Sequence, residues 1–416
     1  MKILWLSHLL PFPSQGGGVL QRSANLIKTV ANAHDVTLLA FNQKNILRMF
    51  NPDVNVSLSA ALEEINNYCK IVKVVDIECD TKYAGKFRLA LSSLFSLTPY
   101  SIRWLTSDVY KKLLNELLTD NSYDMIWFDT ISLVQYNLTT KIDNSFTILN
   151  HHNIESDMMF RRAGKEKNIL KKIYYLIEAY KLKNYERNKV CNFDINVTCS
   201  PLDSKRIEHI SPGIVTRVIP NGVDTKFFLP NSTVIADPYS LVFIGGMSWY
   251  PNREAMLFFA RQIWPLLKER IPSIKMNVVG ECPPQELLEL AKWDSNFHVH
   301  GFVDDVKKYF NEAGIYVCPI SDGGGTKLKI LDALAMGKPI VANPVACEGI
   351  DVINGKNVSF AEKPEDYVNK ICELADNPTM RIEMGRNNRQ LILDKYSYDV
   401  IGRDLLELIE TKINNK

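Results

Sequence analysis

A run of glycines and lysines, Gly323-Gly324-Gly325-Thr326-Lys327-Leu328-Lys329, stands between a strand-like stretch, 315–320, and a helical stretch, 327–336. Leu328, Leu331 and Leu334 with Ala335 fall on one face of that helix. A strand, a glycine turn and a helix N-terminus together make an anion site. The turn lets a ligand approach the backbone, and unpaired N–H groups at the positive end of the helix dipole meet its charge. Lys327 and Lys329 add formal charge in the first turn, so a nucleoside diphosphate fits here. Taken alone, the pattern also fits a tight turn that packs a helix on a sheet, with both lysines on a solvated face. Asp332, further along, is a candidate acceptor for hydroxyl groups or ordinary surface charge.

His152 follows an apolar strand-like run, 146–150, and is the candidate for chemistry at a reacting carbon; its neighbour His151 competes for the role. A lone histidine is more often structural than catalytic. His8 ends the first strand-like run and is a weaker candidate. No Asp-x-Asp triplet and no CxxC pair occurs, and the eight cysteines are scattered at 69, 79, 191, 199, 282, 318, 347 and 372. The expected site therefore uses no metal and no cofactor. Cysteines in apolar runs, such as Cys318, read as small buried residues, and a reducing cytoplasm suits them.

These residues need elements to hold them. At 416 residues the chain is long enough for two or three domains. With 46% hydrophobic and 23% charged residues it has the composition of a soluble globular protein, and a net charge of +2 gives no reason to expect nucleic acid as a partner. The opening apolar run is too short for a signal peptide and reads as a first buried strand. Apolar runs at 2–7, 35–41, 71–76, 125–128, 146–150, 195–198 and 215–219 alternate with helical patterns such as 19–33 and 107–118. A second series of strands follows at 240–244, 275–279, 297–300, 315–319, 339–342 and 357–360, with helices at 253–269, 284–293, 304–313 and 327–336. Alternation of this kind implies two mostly parallel, doubly wound α/β sheets. The expected boundaries are 1–224 and 236–395, hinged after Asn221-Gly222-Val223-Asp224. An amphipathic helix within 396–416 is expected to pack back on the first domain. The segment 161–189 mixes Arg and Lys with Ile169, Ile173, Leu176 and Tyr180. It suits either a peripheral contact with anionic lipid or a solvated helix pair.

Several motifs occur in order: Pro11-Phe12-Pro13 with Gly16-Gly17-Gly18-Val19-Leu20-Gln21-Arg22; His152-Asn153-Ile154-Glu155; Ile219-Pro220-Asn221-Gly222-Val223-Asp224; Phe243-Ile244-Gly245-Gly246-Met247 with Pro251-Asn252; Gly301-Phe302-Val303-Asp304-Asp305-Val306; and the glycine–lysine helix. Together they resemble the family 4 glycosyltransferases (glycosyl transferases group 1), mostly bacterial envelope and exopolysaccharide enzymes. The resemblance spans nearly the whole chain and is strongest over 241–350. It implies a GT-B fold, two doubly wound Rossmann-like domains facing across a cleft. It also implies that Gly245, Gly246 and Gly323–Thr326 meet the donor phosphates, with Lys327 and Lys329 neutralising them. Asp332 would accept the ribose hydroxyls. The backbone of Gly301, Phe302 and Val303 would read the base edge, Gly16, Gly17 and Gly18 would close the cleft from the first domain, and His152 would contact the transferring sugar. This chain departs from the family at the usual pair of glutamates, which fall at Gly324 and Asp332, and at the usual arginine and lysine, near Met247 and Asn252.

The expected activity is retaining, metal-independent transfer from a UDP- or GDP-sugar to a glycan or lipid-linked acceptor in cell-surface polysaccharide synthesis. The expected place is the cytoplasm, peripherally at the inner membrane face. The alternatives are a GT-B sugar-nucleotide epimerase and a non-catalytic nucleotide-sugar-binding protein.

Overall fold

The computed structural model describes residues 1–13, 18–81, 85–137 and 145–413. The chain divides into two compact units, Met1–Pro220 with Gly402–Lys416, and Asn221–Ile401.

The first unit is built on seven strands: β1 (Lys2–Ser7), β2 (Asp35–Asn42), β3 (Ile71–Asp76), β4 (Met125–Phe128), β5 (Phe146–His151), β6 (Ile195–Thr198) and β7 (Thr216–Val218). They lie in the order β3-β2-β1-β4-β5-β6-β7 and pair in parallel throughout. The central strands are apolar along their length because helices cover both faces, so Leu4, Leu6, Ile126 and Phe128 are fully buried. Trp5 pairs in register with Trp127, and the two rings stack at 4.4 Å. Helices start where the sequence offers caps: Ser107 accepts from the N–H of Tyr110, and Ser200 from that of Asp203.

The second unit has six strands: β8 (Asp237–Ile244), β9 (Lys275–Val279), β10 (Phe297–Gly301), β11 (Ala313–Cys318), β12 (Ile340–Ala342) and β13 (Ser359–Phe360), in the order β10-β9-β8-β11-β12-β13, again all parallel. The helix expected over 253–269 begins earlier, at Tyr250, and carries a π turn, Phe259–Ile263, before resuming as Trp264–Arg270. Pro265 has no N–H to complete an α turn, and a π turn absorbs that loss. The helix expected over 304–313 is only Lys307–Glu312, and Ala313 already belongs to β11. Gly314 explains the switch: a Cβ there would sit 2.5 Å from the carbonyl oxygen of Asp237, so only glycine lets β11 pair this closely with the start of β8.

In a parallel sheet every strand ends on the same edge, and a ligand binds where the strand order reverses. That point lies between β1 and β4 in the first unit and between β8 and β11 in the second. The helix Leu328–Ala335 follows β11, and its C-terminus is closed by Gly337 (φ 61°). The N–H of Gly337 bonds to Leu334 and that of Lys338 to Ala333, each at 3.0 Å. Gly385, inside the helix Pro378–Leu391, packs directly on the Gly337 carbonyl, and a Cβ there would collide with it. An exposed helical Gly→Ala change stabilises by about 1 kcal/mol. Gly385→Ala is expected to do the reverse and destabilise by about 1–3 kcal/mol through overpacking. Thermal unfolding of the variant checks this; an unchanged or raised Tm contradicts the packing described.

Candidate functional site

Gly245 and Gly246 follow β8 at the reversal point of the second sheet, and the loop Ser321–Gly325 follows β11 beside them. Gly323 (φ 94°) and Gly325 (φ 67°) occupy the left-handed region, which the loop could not reach with other residues at low cost. The turn curls its carbonyls inward around the ammonium of Lys327. That group donates to Gly323 O at 2.6 Å, Gly325 O at 3.0 Å and Gly324 O at 3.4 Å, and the residue is only 3% exposed. On the other side the carboxylate of Asp322 accepts from the N–H of Gly323 at 2.7 Å and from the hydroxyl of Tyr250 at 2.9 Å. Trp249 lies against Gly323, where a Cβ would be 3.2 Å from the indole. The loop is braced from both sides before any ligand arrives.

Lys329 points elsewhere. It sits in the first turn of the helix, with its ammonium 5.1 Å from the ring centre of Phe243 and 5.4 Å from that of Trp249. It donates to Oδ1 of Asn252, whose amide in turn donates to Gly246 O at 2.7 Å. A Cβ on Gly245 would collide with this ammonium, so the glycine keeps the lysine against the end of β8. Burial lowers the Lys329 pKa to about 8, with Lys327 adding to the fall while Cys318 and Asp332 oppose it. One helical turn on, burial raises the Asp332 carboxyl to about 7, and Lys329 partly opposes that rise. Oδ1 of Asp332 and Oγ1 of Thr326 are buried without a hydrogen-bond partner among the described residues. Orphaned polar atoms of this kind are ordinarily completed by a ligand or water. Gly301 (φ 64°) ends β10, two strands away on the same edge, followed by Phe302, which is exposed, and Val303.

The reversal point of the first sheet holds a second cluster. His8 follows β1, Asp129 follows β4 and His152 follows β5. Asp129 is fully buried; its Oδ2 accepts from Ser23 at 2.7 Å and its Oδ1 from Asn150 at 2.9 Å. Arg22 donates to Asn150 Oδ1 at 2.9 Å and to Pro220 O at 2.9 Å, which fixes that amide. Nε2 of His152 lies 3.4 Å from Asp129 Oδ1, and Nδ1 of His8 lies 3.9 Å from Oδ2. Burial alone would raise the Asp129 carboxyl; charge and hydrogen bonding from His152, with His8 and Ser23, outweigh it and hold the group below the usual carboxylate range. His8 is lowered to about 4 by burial and by His152, against the pull of Asp129. The three side chains also satisfy the spacing of metal ligands. Both carboxylate oxygens are already engaged by Ser23 and Asn150, an arrangement suited to orienting an imidazole. His151 turns the other way. It bonds to Asn196 at 3.0 Å, and burial lowers it to about 4, which makes it a neutral, structural histidine.

Of the residues read from sequence, Gly245, Gly246, Gly323, Gly324, Gly325, Thr326, Lys327, Lys329 and Asp332 come together at one reversal point, and His152 stands at the other. Gly16 and Gly17 lie outside the described residues; Gly18 opens the helix Gly18–Ala33. Asp129 and Asn150 were not singled out; Arg22 and Asn252 stood in the family motifs without an assigned role, Asn252 also near a departure from the family pattern. Asp129 was findable as the residue that ends the apolar run 125–128.

Residues 238–377, all within the second unit, match the family model described as glycosyl transferases group 1. Over that segment the chain resembles the group 1 glycosyltransferases. A relative covering almost the full length is an uncharacterized 44.6 kDa protein in the cps region of Klebsiella pneumoniae. It is 21% identical over 404 residues, 95% of this chain and 96% of that protein. Among solved structures, the sucrose-phosphate synthase of Thermosynechococcus elongatus aligns over 100% of both chains with a TM-score of 0.71 and 14% identity. HepE of Anabaena, in complex with UDP, aligns over 99% of this chain and 100% of its own with a TM-score of 0.64 and 14% identity. The chain thus has the GT-B fold of these structures.

Lys327 and Lys329 have different tasks, and stability separates them. Lys327→Ala strips three carbonyls of their donor and is expected to destabilise by about 1–3 kcal/mol. Lys329→Ala removes a charge that burial already disfavours and should lower Tm less. Thermal unfolding of both variants decides; a wild-type Tm for Lys327→Ala contradicts the bracing role.

Proposed function

We propose that this glycosyltransferase moves a sugar, with retention at the anomeric carbon and without a metal, from a UDP- or GDP-sugar to a glycan or lipid-linked acceptor in cell-surface polysaccharide synthesis. The observation that carries the donor assignment is the reversal point between β8 and β11. There a half-buried cation, Lys329, a preformed glycine turn and two unsatisfied oxygens, Asp332 Oδ1 and Thr326 Oγ1, share one helix start. The complexes of HepE with UDP, and with UDP-glucose, support a nucleoside diphosphate as the ligand, and the cps-region relative supports a surface-polysaccharide setting.

Transfer joins the acceptor oxygen to the anomeric carbon. The bond to the diphosphate oxygen breaks with its electron pair, and the acceptor hydroxyl loses its proton. Negative charge grows on the leaving diphosphate and positive charge on the sugar ring. Lys329 and the N–H groups at the helix start answer the first; because they are fixed in place, they need no reorganisation as the bond breaks. Asp332 takes the ribose hydroxyls, and the backbone of Gly301, Phe302 and Val303 the base. His152, held by Asp129 at 3.4 Å, answers the charge at the sugar. In this reading Lys327 keeps the loop in shape while its charge stays within the phosphate's field.

The test separates binding from catalysis. The UDP- or GDP-sugar that most raises Tm identifies the donor, and release of its nucleoside diphosphate in the presence of acceptor measures turnover. His152→Ala belongs to the first unit and should leave donor Kd within about twofold while turnover falls about a hundredfold or more, the scale of one positioned polar group. His151→Ala should lose stability and keep most turnover. Wild-type turnover in His152→Ala would sink the catalytic assignment. Tight donor binding without turnover in the wild type would favour a binding protein.

A further inference from the structure

Two segments of the first unit expose large apolar side chains beside lysine and arginine. One is the helix Gly85–Ser93 with the turn after it, where Phe87, Phe95 and Leu97 are 72%, 90% and 94% exposed. The other is the first half of the helix Ile169–Lys189, where Ile169, Leu170 and Tyr180 are 72%, 79% and 65% exposed. Ile169, Ile173, Ile177 and Tyr180 recur at the spacing of a single helical face. The other side of this helix is committed to the protein, through buried Ala179, Leu182 and Glu186.

The two segments adjoin because one carboxylate ties them together. Glu178, buried within the long helix, accepts from the N–H of Tyr100 at 2.7 Å and from the hydroxyl of Ser93 at 3.4 Å, while Lys181 donates to Ser93 O at 2.6 Å. The same bonds remove negative charge from the outer surface. Residues 85–97 contain Lys86 and Arg88 and no acid, and 165–183 contain six lysines against Glu166 and Glu178. Glu178 is consumed inside, and Glu166 accepts from the N–H of Asn168 at the helix start. Arg88, Lys167, Lys171 and Lys172 remain exposed, in no ion pair with an acid among the described residues. Among the described residues no helix is long and apolar enough to cross a membrane.

We propose that this surface docks on an anionic phospholipid bilayer. Phe87, Phe95, Leu97, Ile169 and Leu170 enter the boundary between headgroups and acyl chains. The long lysine side chains lie alongside them and carry their ammonium groups to the lipid phosphates. Docking of this kind does not rest on the transfer reaction, and vesicle binding needs neither donor nor acceptor.

The experiment is flotation of the full chain with phosphatidylcholine vesicles, alone or with roughly one-third phosphatidylglycerol, at low and high salt. The wild type should float with the anionic vesicles and remain behind with the zwitterionic ones, and high salt should weaken its binding. Lys171→Ala with Lys172→Ala should lower partitioning about thirtyfold, taking the usual gain per basic residue near such a surface. Phe95→Ser with Leu170→Ser should lower it further at unchanged charge. All four positions are exposed, and an unchanged Tm confirms that the variants fold. Failure of the wild type to float with anionic vesicles at low salt overturns the proposal, as an acidic protein partner in place of lipid would require. Equal flotation with both lipids, or wild-type binding by the variants, overturns it too.

Discussion

Lys329 brings an ammonium group between the rings of Phe243 and Trp249, and much of the surrounding architecture serves to keep it there. It donates a hydrogen bond to Asn252, whose other end holds Gly246 O. The side chain of Asn252 thus joins the helix after β11 to the turn after β8. Gly245 must be a glycine because the lysine fills the space a side chain would take. The helix must start where it does so that Lys329 falls in its first turn and Asp332 one turn later. Lys327, one residue before the helix, is spent on the loop itself. A cation held this way has lost part of its hydration, so burial penalises its charge until an anion arrives.

The first unit repeats the device with the opposite sign. Asp129 is buried at the end of β4 and would be destabilised as an anion, yet Ser23, Asn150 and two histidines keep it ionised. Its two neighbours in the sheet, β1 and β5, deliver His8 and His152. In both units the candidate residues sit where the strand order reverses, because there two adjacent strand ends are followed by chain departing in opposite directions, which leaves room between them.

Most of this frame was legible in the sequence. Apolar runs marked the strands, and the glycine turn before a helix marked the anion site. What stayed hidden depended on direction and on partners far apart in the chain. Lys327 and Lys329 look alike in sequence, two residues apart at a helix start. Only the left-handed turns at Gly323 and Gly325 send one into the loop and leave the other facing β8. Asn252 is a surface-type residue by composition, and its role appears only when residues 246 and 329 meet. Asp129 ends a strand without any motif around it. The π turn at Phe259–Ile263 follows from Pro265, which lies inside the stretch expected as one helix, 253–269. The family pattern showed Gly324 as a gap, and the structure shows that glycine's carbonyl joining those that surround Lys327.

The central claim is that the half-buried ammonium of Lys329 meets the diphosphate, and its lowered pKa offers a direct test. Free Lys329 titrates near about 8, so it is charged below that pH and neutral above it. A bound anion stabilises the charged form and raises the pKa, so binding above about pH 8 must take up a proton. UDP affinity, measured by calorimetry from pH 7 to 9.5 in buffers of different ionisation enthalpy, should therefore fall as pH rises past about 8, with proton uptake that Lys329→Ala abolishes. If wild type and Lys329→Ala show parallel pH profiles and equal proton exchange, the lysine does not touch the diphosphate and the account of this site is wrong.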